Sequence, residues 1–137
     1  MALRKATMVR QVEEAVRLID PADPPITTFG VFLGRNPWVT SVLFDGVVCD
    51  SYLVTATARA VHVHDVEVLR HRPGRLVHTL GRPDAVQRIA GVRHHLLWSS
   101  FRFLLPGDTE PAPMNVRRVW RPELDRFTAV LAGTRQP

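Results

Sequence analysis

A single cysteine, Cys49, means that this 137-residue chain can form no internal disulfide, so its fold must stand without covalent cross-links. Lysine is nearly missing as well: Lys5 is the only one among 18 Lys and Arg. Aromatic residues make up 7% of the chain, and no stretch interleaves rings with bases as a single-strand nucleic-acid groove does. Apolar runs such as Val42-Leu43-Phe44 and Leu96-Leu97-Trp98 fall far short of the ~20 residues a membrane helix needs. The first twenty residues contain Glu13, Glu14 and Asp20 and no continuous apolar core, unlike a secretory signal. No phosphate loop, dinucleotide fingerprint, internal repeat or low-complexity tract stands in the chain. These absences lead us to expect a soluble, cytoplasmic protein without membrane contact.

What is present is ordinary globular composition: 45% hydrophobic and 23% charged residues provide for one core, hence one domain over residues 1–137. The net charge of +5 is almost wholly arginine, whose planar fork suits carboxylate or phosphate. The arginines are spread along the chain and not gathered in one block, which places nucleic acid last among expected partners.

Hydrophobic spacing gives the organisation. Val9, Val12, Val16 and Ile19 recur at helical spacing until Asp20-Pro21, predicting a first helix within residues 1–20. Pro21, Pro24 and Pro25 then impose an extended connector, after which Phe29, Val31 and Leu33 alternate at period two up to the turn cluster Gly34 to Pro37. Asp45-Gly46 divides Trp38 to Phe44 from Val47 to Leu53 and reads as a two-residue hairpin. Val54 to Leu69 continues as strand until Pro73-Gly74, and Leu76 to Leu80 is a short strand. Pro83 to Ala90 reads as a short helix stopped by Gly91, Val92 to Leu105 as one long strand, and Val116 to Trp120 as the last. Pro122 opens a closing helix over 122–133 with Leu124, Phe127 and Leu131 in one stripe. The expected class is mainly β (α+β): a small, partly closed antiparallel barrel or curved sheet spanning 27–120, with N- and C-terminal helices.

Chemistry concentrates in Ala60 to Val68, "AVHVHDVEV". In a strand His62 and His64 share a face, with Val61 and Val63 on the other. Beyond His64 the apolar positions Val66 and Val68 have the histidines' parity, so a continuous strand requires a bulge or tight turn near His64-Asp65. Three readings of this stretch stand beside a plain polar face. His62, His64 and Glu67 resemble part of the metal motif of cupin barrels, but the glutamate spacing is short and the second histidine motif is missing, so no metal is expected. A histidine beside Asp65 or Glu67 suits acid–base chemistry near neutral pH. His94, Trp98 and Arg102, four residues apart on one presumed strand, would join His62 and His64 around a cavity for a small apolar or anionic ligand. Cys49 follows Val47-Val48 with no base within two positions, which marks a structural thiol.

Between residues 35 and 122 the order of several fragments resembles the N-terminal barrel of trypsin-like serine proteases. "RNPWVTSVLFDGVVCDS" is similar to the opening strands, "LVTATARAV" to the strand carrying the catalytic histidine and "HDVEVL" to the strand after it. "SFRFLLP" is similar to the strand following the catalytic aspartate, and "VRRVWRP" to the last strand. The histidine slot holds Arg59, the aspartate slot Ser99 or Ser100, and Ala60 replaces the disulfide partner of Cys49. The resemblance therefore implies a proteolytically inactive half-barrel kept for binding.

Two functions follow. The first is a non-catalytic binding or assembly module that uses an exposed apolar or arginine-studded patch to hold a protein partner or a second copy of itself, without a cofactor. The alternative is a small-molecule enzyme of isomerase, cyclase or dehydratase type, with His62, His64, Asp65 or His94 as acid or base.

Overall fold

The structure is a computed structural model that describes residues 2–33, 51–67 and 72–135. The turn Gly34 to Pro37, the Asp45-Gly46 hairpin and Cys49 lie outside the described residues.

Helix α1, Ala2–Ile19, forms where the sequence spacing predicts it. Val12 and Val16 are buried, whereas Ile19, the expected end of the stripe, is exposed, because the helix stops there with Asp20 N–H bonded to Val16 O. The proline-rich connector leads into β1, Pro25–Leu33. There follow β2, Ser51–Thr57; β3, Ala60–Glu67; β4, Arg72–Gly81; α2, Arg82–Arg88; β5, Ile89–His94; β6, Trp98–Phe103; and β7, Ala112–Arg117. A 3-10 turn, Arg118–Trp120, delivers the chain to α3, Arg121–Arg135. Among the described residues the seven strands form one antiparallel sheet in the order β4-β3-β2-β1-β7-β6-β5, and it does not close into a barrel.

Several expected elements divide differently: Pro73-Gly74, expected to close a strand, lies within β4, and the last strand, expected over Val116 to Trp120, is β7, which starts at Ala112 and ends at Arg117 before the 3-10 turn. The strand expected from Val54 to Leu69 is broken at Ala58-Arg59, so that β2 and β3 form a hairpin. The long strand expected from Val92 to Leu105 folds back at Leu96-Leu97 into the β5–β6 hairpin, with His95 N–H donating to Trp98 O at 2.8 Å. Gly91 does not stop a helix: α2 has already ended at Arg88, and Gly91, at φ 69°, sits in the bulge that interrupts β5 between Ala90 and Arg93. The bulge expected within the strand near His64-Asp65 is not in β3, whose register against β2 is unbroken from Val61 to Asp65; instead the β3–β4 ladder shifts between Val63 and His64 and again between His64 and Val66. The additional residues lie on β4, where Leu76 pairs with His64 and His78 with Val63.

Alternation along paired strands sorts the sheet into two faces. One carries Phe29, Val54, Ala56, Val61, Val63, Phe101, Phe103, Met114 and Val116, all buried. Helix α3 closes this core face: Leu124, Phe127 and Leu131 are buried, and the Phe127 ring meets Phe29 edge to face at 4.9 Å. The other face carries Thr28, Gly30, Thr55, Thr57, His62 and His64 on the β1–β3 side. Helix α1 packs against β1, β2 and β4 and belongs to this second face at both its ends. Lys5 stands 5.0 Å over the Trp120 ring, which fills the space above Gly30, and the chain leaving α1 brings Asp23 onto Thr57. With both faces covered, β2 is buried at five consecutive positions, Leu53 to Thr57.

Candidate functional site

The second face has two chemically distinct halves. On β2 and β3, beside α1, lies a buried polar layer. His62 and His64 are 4% and 3% exposed, which leaves almost no ring surface for a solvent-borne substrate. His62 Nδ1 shares a hydrogen bond of 3.1 Å with Thr79 Oγ1 across the β3–β4 ladder. Thr28 and Thr55 hydroxyls bond each other at 3.0 Å, and Thr57 Oγ1 donates to Asp23 Oδ2 at 2.5 Å. Two buried polar atoms of this half find no partner, His64 Nδ1 and Asp23 Oδ1.

Burial pushes the His62 imidazole below its ordinary value of 6.5, with the Asp23 carboxylate partly opposing. Burial also lowers His64, His62 lowers it further, and Asp65 opposes. Both shifts favour the neutral imidazole. The lowering reflects the cost of placing an imidazolium in a dry layer.

Of the two carboxylates expected to assist these rings, Asp65 is engaged otherwise. Asp65 pairs with Tyr52 across the ladder, opposite in parity to His64, and its Oδ1 accepts a hydrogen bond from Arg75 N–H at 2.5 Å. The Glu67 side chain lies outside the described ones. Among the described residues no three His, Cys, Asp or Glu side chains converge as a metal site would require.

His94, Trp98 and Arg102 do not share a face, because the hairpin at Leu96-Leu97 separates His94 from the other two. His94 pairs with Ser99 on the core-face parity, shares a 2.7 Å hydrogen bond with Ser99 Oγ and places Nε2 3.0 Å from Asp125 Oδ1 of α3. Trp98 and Arg102 project from the second face, the one that also carries His62 and His64, but β2, β1 and β7 intervene between β3 and β6. That separation is roughly 19 Å along the sheet at ordinary strand spacing. The structure thus brings His62 and His64 together and leaves His94, Trp98 and Arg102 out of their reach.

What does gather around Trp98 and Arg102 is positive charge. Arg93 pairs with Ser100, Ala90 with Arg102, and Arg117 with Trp98, which puts three arginines on one face of β5, β6 and β7. All three are exposed, and α1 covers the other end of that face. Those three strands contain no Asp or Glu. Trp98 is half-buried with its indole stacked on His95 at 4.5 Å, and Arg117 lies 5.7 Å from the Phe32 ring centre. The hairpin that presents Trp98 is held from outside the sheet: Arg121, the first residue of α3, donates to the carbonyls of His95 and Trp98. Arg93 and Arg117 carry no motif in the sequence. They become legible as partners of Arg102 only when the hairpin boundary at Leu96-Leu97 is known, since parity is counted from that turn.

Beside this face, between the bulged edge of β5 and helix α3, runs an apolar groove of about 450 Å³ lined by Ile89, Val92, Thr128, Ala129, Leu131 and Ala132 together with Ala90 and Gly91. Among the described residues no helix is long and apolar enough to cross a membrane. Compared with models of protein families, with curated proteins and with solved structures, the chain matches none.

Proposed function

We propose that this protein is a non-catalytic binding module whose working surface is the arginine-bearing face of β5, β6 and β7. The observation that carries the reading is the exposure of Arg93, Arg102 and Arg117 on three strands without a carboxylate. Arginines held on a sheet without an ion-pair partner among the described residues are placed to receive a planar anion such as a carboxylate. Arg59 and Ala60, at the slots where the protease-like fragments would hold a histidine and a cysteine, support the same reading of a sheet retained for binding. The partner class is an acidic protein surface. Titration of a labelled polyglutamate peptide at low salt, followed by fluorescence anisotropy, should show binding that weakens as salt rises. Binding should be lost in the triple variant Arg93→Glu/Arg102→Glu/Arg117→Glu. Equal binding by that variant, with its circular dichroism unchanged, would refute the proposal.

One observation favours the enzymatic alternative: His64 Nδ1 is buried and without a partner in the layer that also holds the unpartnered Asp23 Oδ1. A neutral imidazole can accept a proton if substrate can reach it. That hypothesis requires α1 to move, and it is eliminated if His64→Gln leaves the turnover of an identified substrate unchanged.

A further inference from the structure

We infer that β5 is a docking strand for an extended segment of a partner protein in which acidic and apolar residues alternate. The inference rests on the binding-module reading and adds to it the shape and side-chain order of what is bound.

Strand β5 ends the sheet, and among the described residues no strand lies beyond it. Alternate residues of an edge strand direct their N–H and C=O groups away from the sheet, where an incoming strand can pair with them. Such a strand would continue the alternation of the sheet. On one face its side chains would enter the apolar groove between β5 and α3, whose walls are Ile89, Val92, Ala129 and Ala132. On the other face its side chains would come level with Arg93, which pairs with Ser100, and near Arg102, which stands two residues beyond Ser100 on β6. One edge thus offers an apolar slot to every second residue of the guest and guanidinium groups to the residues between. The small side chains of Ala90, Gly91, Ala129 and Ala132 keep the slot open, and a Cβ at Gly91 would meet nothing within 4 Å.

The bulge at Gly91 bends β5 and shortens the ladder a guest can form, which guards the edge against indiscriminate pairing. Specific binding must then draw on the groove and the arginines together. A second copy of this chain is a poor guest, because antiparallel pairing of two β5 strands would set one Arg93-bearing edge against another. Single-stranded nucleic acid would satisfy the arginines but leave the apolar groove empty, and Trp98, the one aromatic side chain on that face of β5 to β7, is already stacked on His95.

The test compares two labelled peptides of about eight residues with the same composition, a typical strand length or slightly more. One alternates Glu with Val; the other carries its Glu and Val in two blocks. We expect the alternating peptide to bind at least about tenfold more tightly, and the advantage to vanish in Ala129→Trp, which fills the groove from an exposed helix position. Arg93→Glu/Arg102→Glu should weaken both peptides, with folding checked by circular dichroism. Equal binding of the two peptides, still sensitive to the arginines, would overturn the docking strand and leave the binding face standing. Failure of both peptides while oligo(dT) binds would overturn it in favour of nucleic acid, and failure of every probe, polyglutamate included, would overturn the binding-module reading as well.

Discussion

Gly30 is the point at which the sheet, the first helix and the last connection meet, and Gly30→Ala tests that packing with a single methyl group. A Cβ on Gly30 would lie 2.9 Å from Trp120 Nε1, 3.0 Å from Cε2 and 3.3 Å from Cζ2, whereas ordinary carbon contacts begin at about 3.5 Å. The indole has little freedom to give way. It is 8% exposed, Lys5 lies over it at 5.0 Å, and Lys5 is itself tied to Val119 O and Glu123 Oε1 at 2.8 Å each. Overpacking at such a site costs about 1–3 kcal/mol. Against it stands the reduced freedom of the unfolded chain when Gly becomes Ala, about 0.4–1 kcal/mol. The expected net loss is about 1–2 kcal/mol, read as a lower urea midpoint at unchanged m-value. In the double variant Gly30→Ala/Trp120→Phe the smaller ring makes room, so the cost of Gly30→Ala should shrink on the Phe background. A Gly30→Ala protein as stable as the parent, or the same cost on both backgrounds, would show that the indole does not occupy this space.

Other outcomes follow from the same buried half of the sheet. Because the folded protein holds His62 and His64 below their ordinary value of 6.5, the unfolded chain takes up protons first as pH falls through that value, so stability should drop below about pH 6.5. Urea melts at stepped pH values would measure it; His62→Gln/His64→Gln should flatten the profile, and a parent profile that is flat or rises on acidification would contradict the burial argument. Thr57→Val removes the donor to Asp23 Oδ2 and the acceptor for the Arg59 and Ala60 N–H groups, at 3.2 and 2.9 Å; a loss of about 1–3 kcal/mol is expected, and a midpoint unchanged in denaturant would show that water replaces these bonds. Phe127→Ala empties the contact with Phe29 and should cost about 3–5 kcal/mol, so a calorimetric melting point close to that of the parent would exclude this ring as the clasp of α3 on the sheet.

Elements whose information is local were legible in the sequence. Helix α1 and helix α3 follow apolar stripes at helical spacing, because one side of each must be buried; Leu124, Phe127 and Leu131 are buried as that stripe requires. The change to period two after the proline connector marks β1, whereas the parity change at His64 does not bend β3, whose register against β2 is unbroken, and the ladder irregularity there comes from additional residues on β4. The two hairpin turns that decide everything about the candidate site were not legible. Ala58-Arg59 and Leu96-Leu97 contain no Gly, Pro, Asn or Asp, the residues that most strongly mark a turn. The first is capped locally by Thr57 Oγ1, which accepts from the Arg59 and Ala60 N–H groups, and both are also held from a distance. Arg82 donates to Arg59 O and Ala58 O, at 2.9 and 2.8 Å, and Arg121 holds the carbonyls of His95 and Trp98.

Composition and periodicity by themselves determined an antiparallel, β-rich chain with a helix at each end, no disulfide and an excess of arginine. Only the tertiary structure decided which side chains share a face. Strand parity is counted from turns, and two of these turns are held by arginines 23 or more residues away along the chain. That is why His94 parted from Trp98 and Arg102, and why the histidines of β3 became part of a buried layer. It is also why Arg93 and Arg117 joined Arg102 on the open face of β5 to β7.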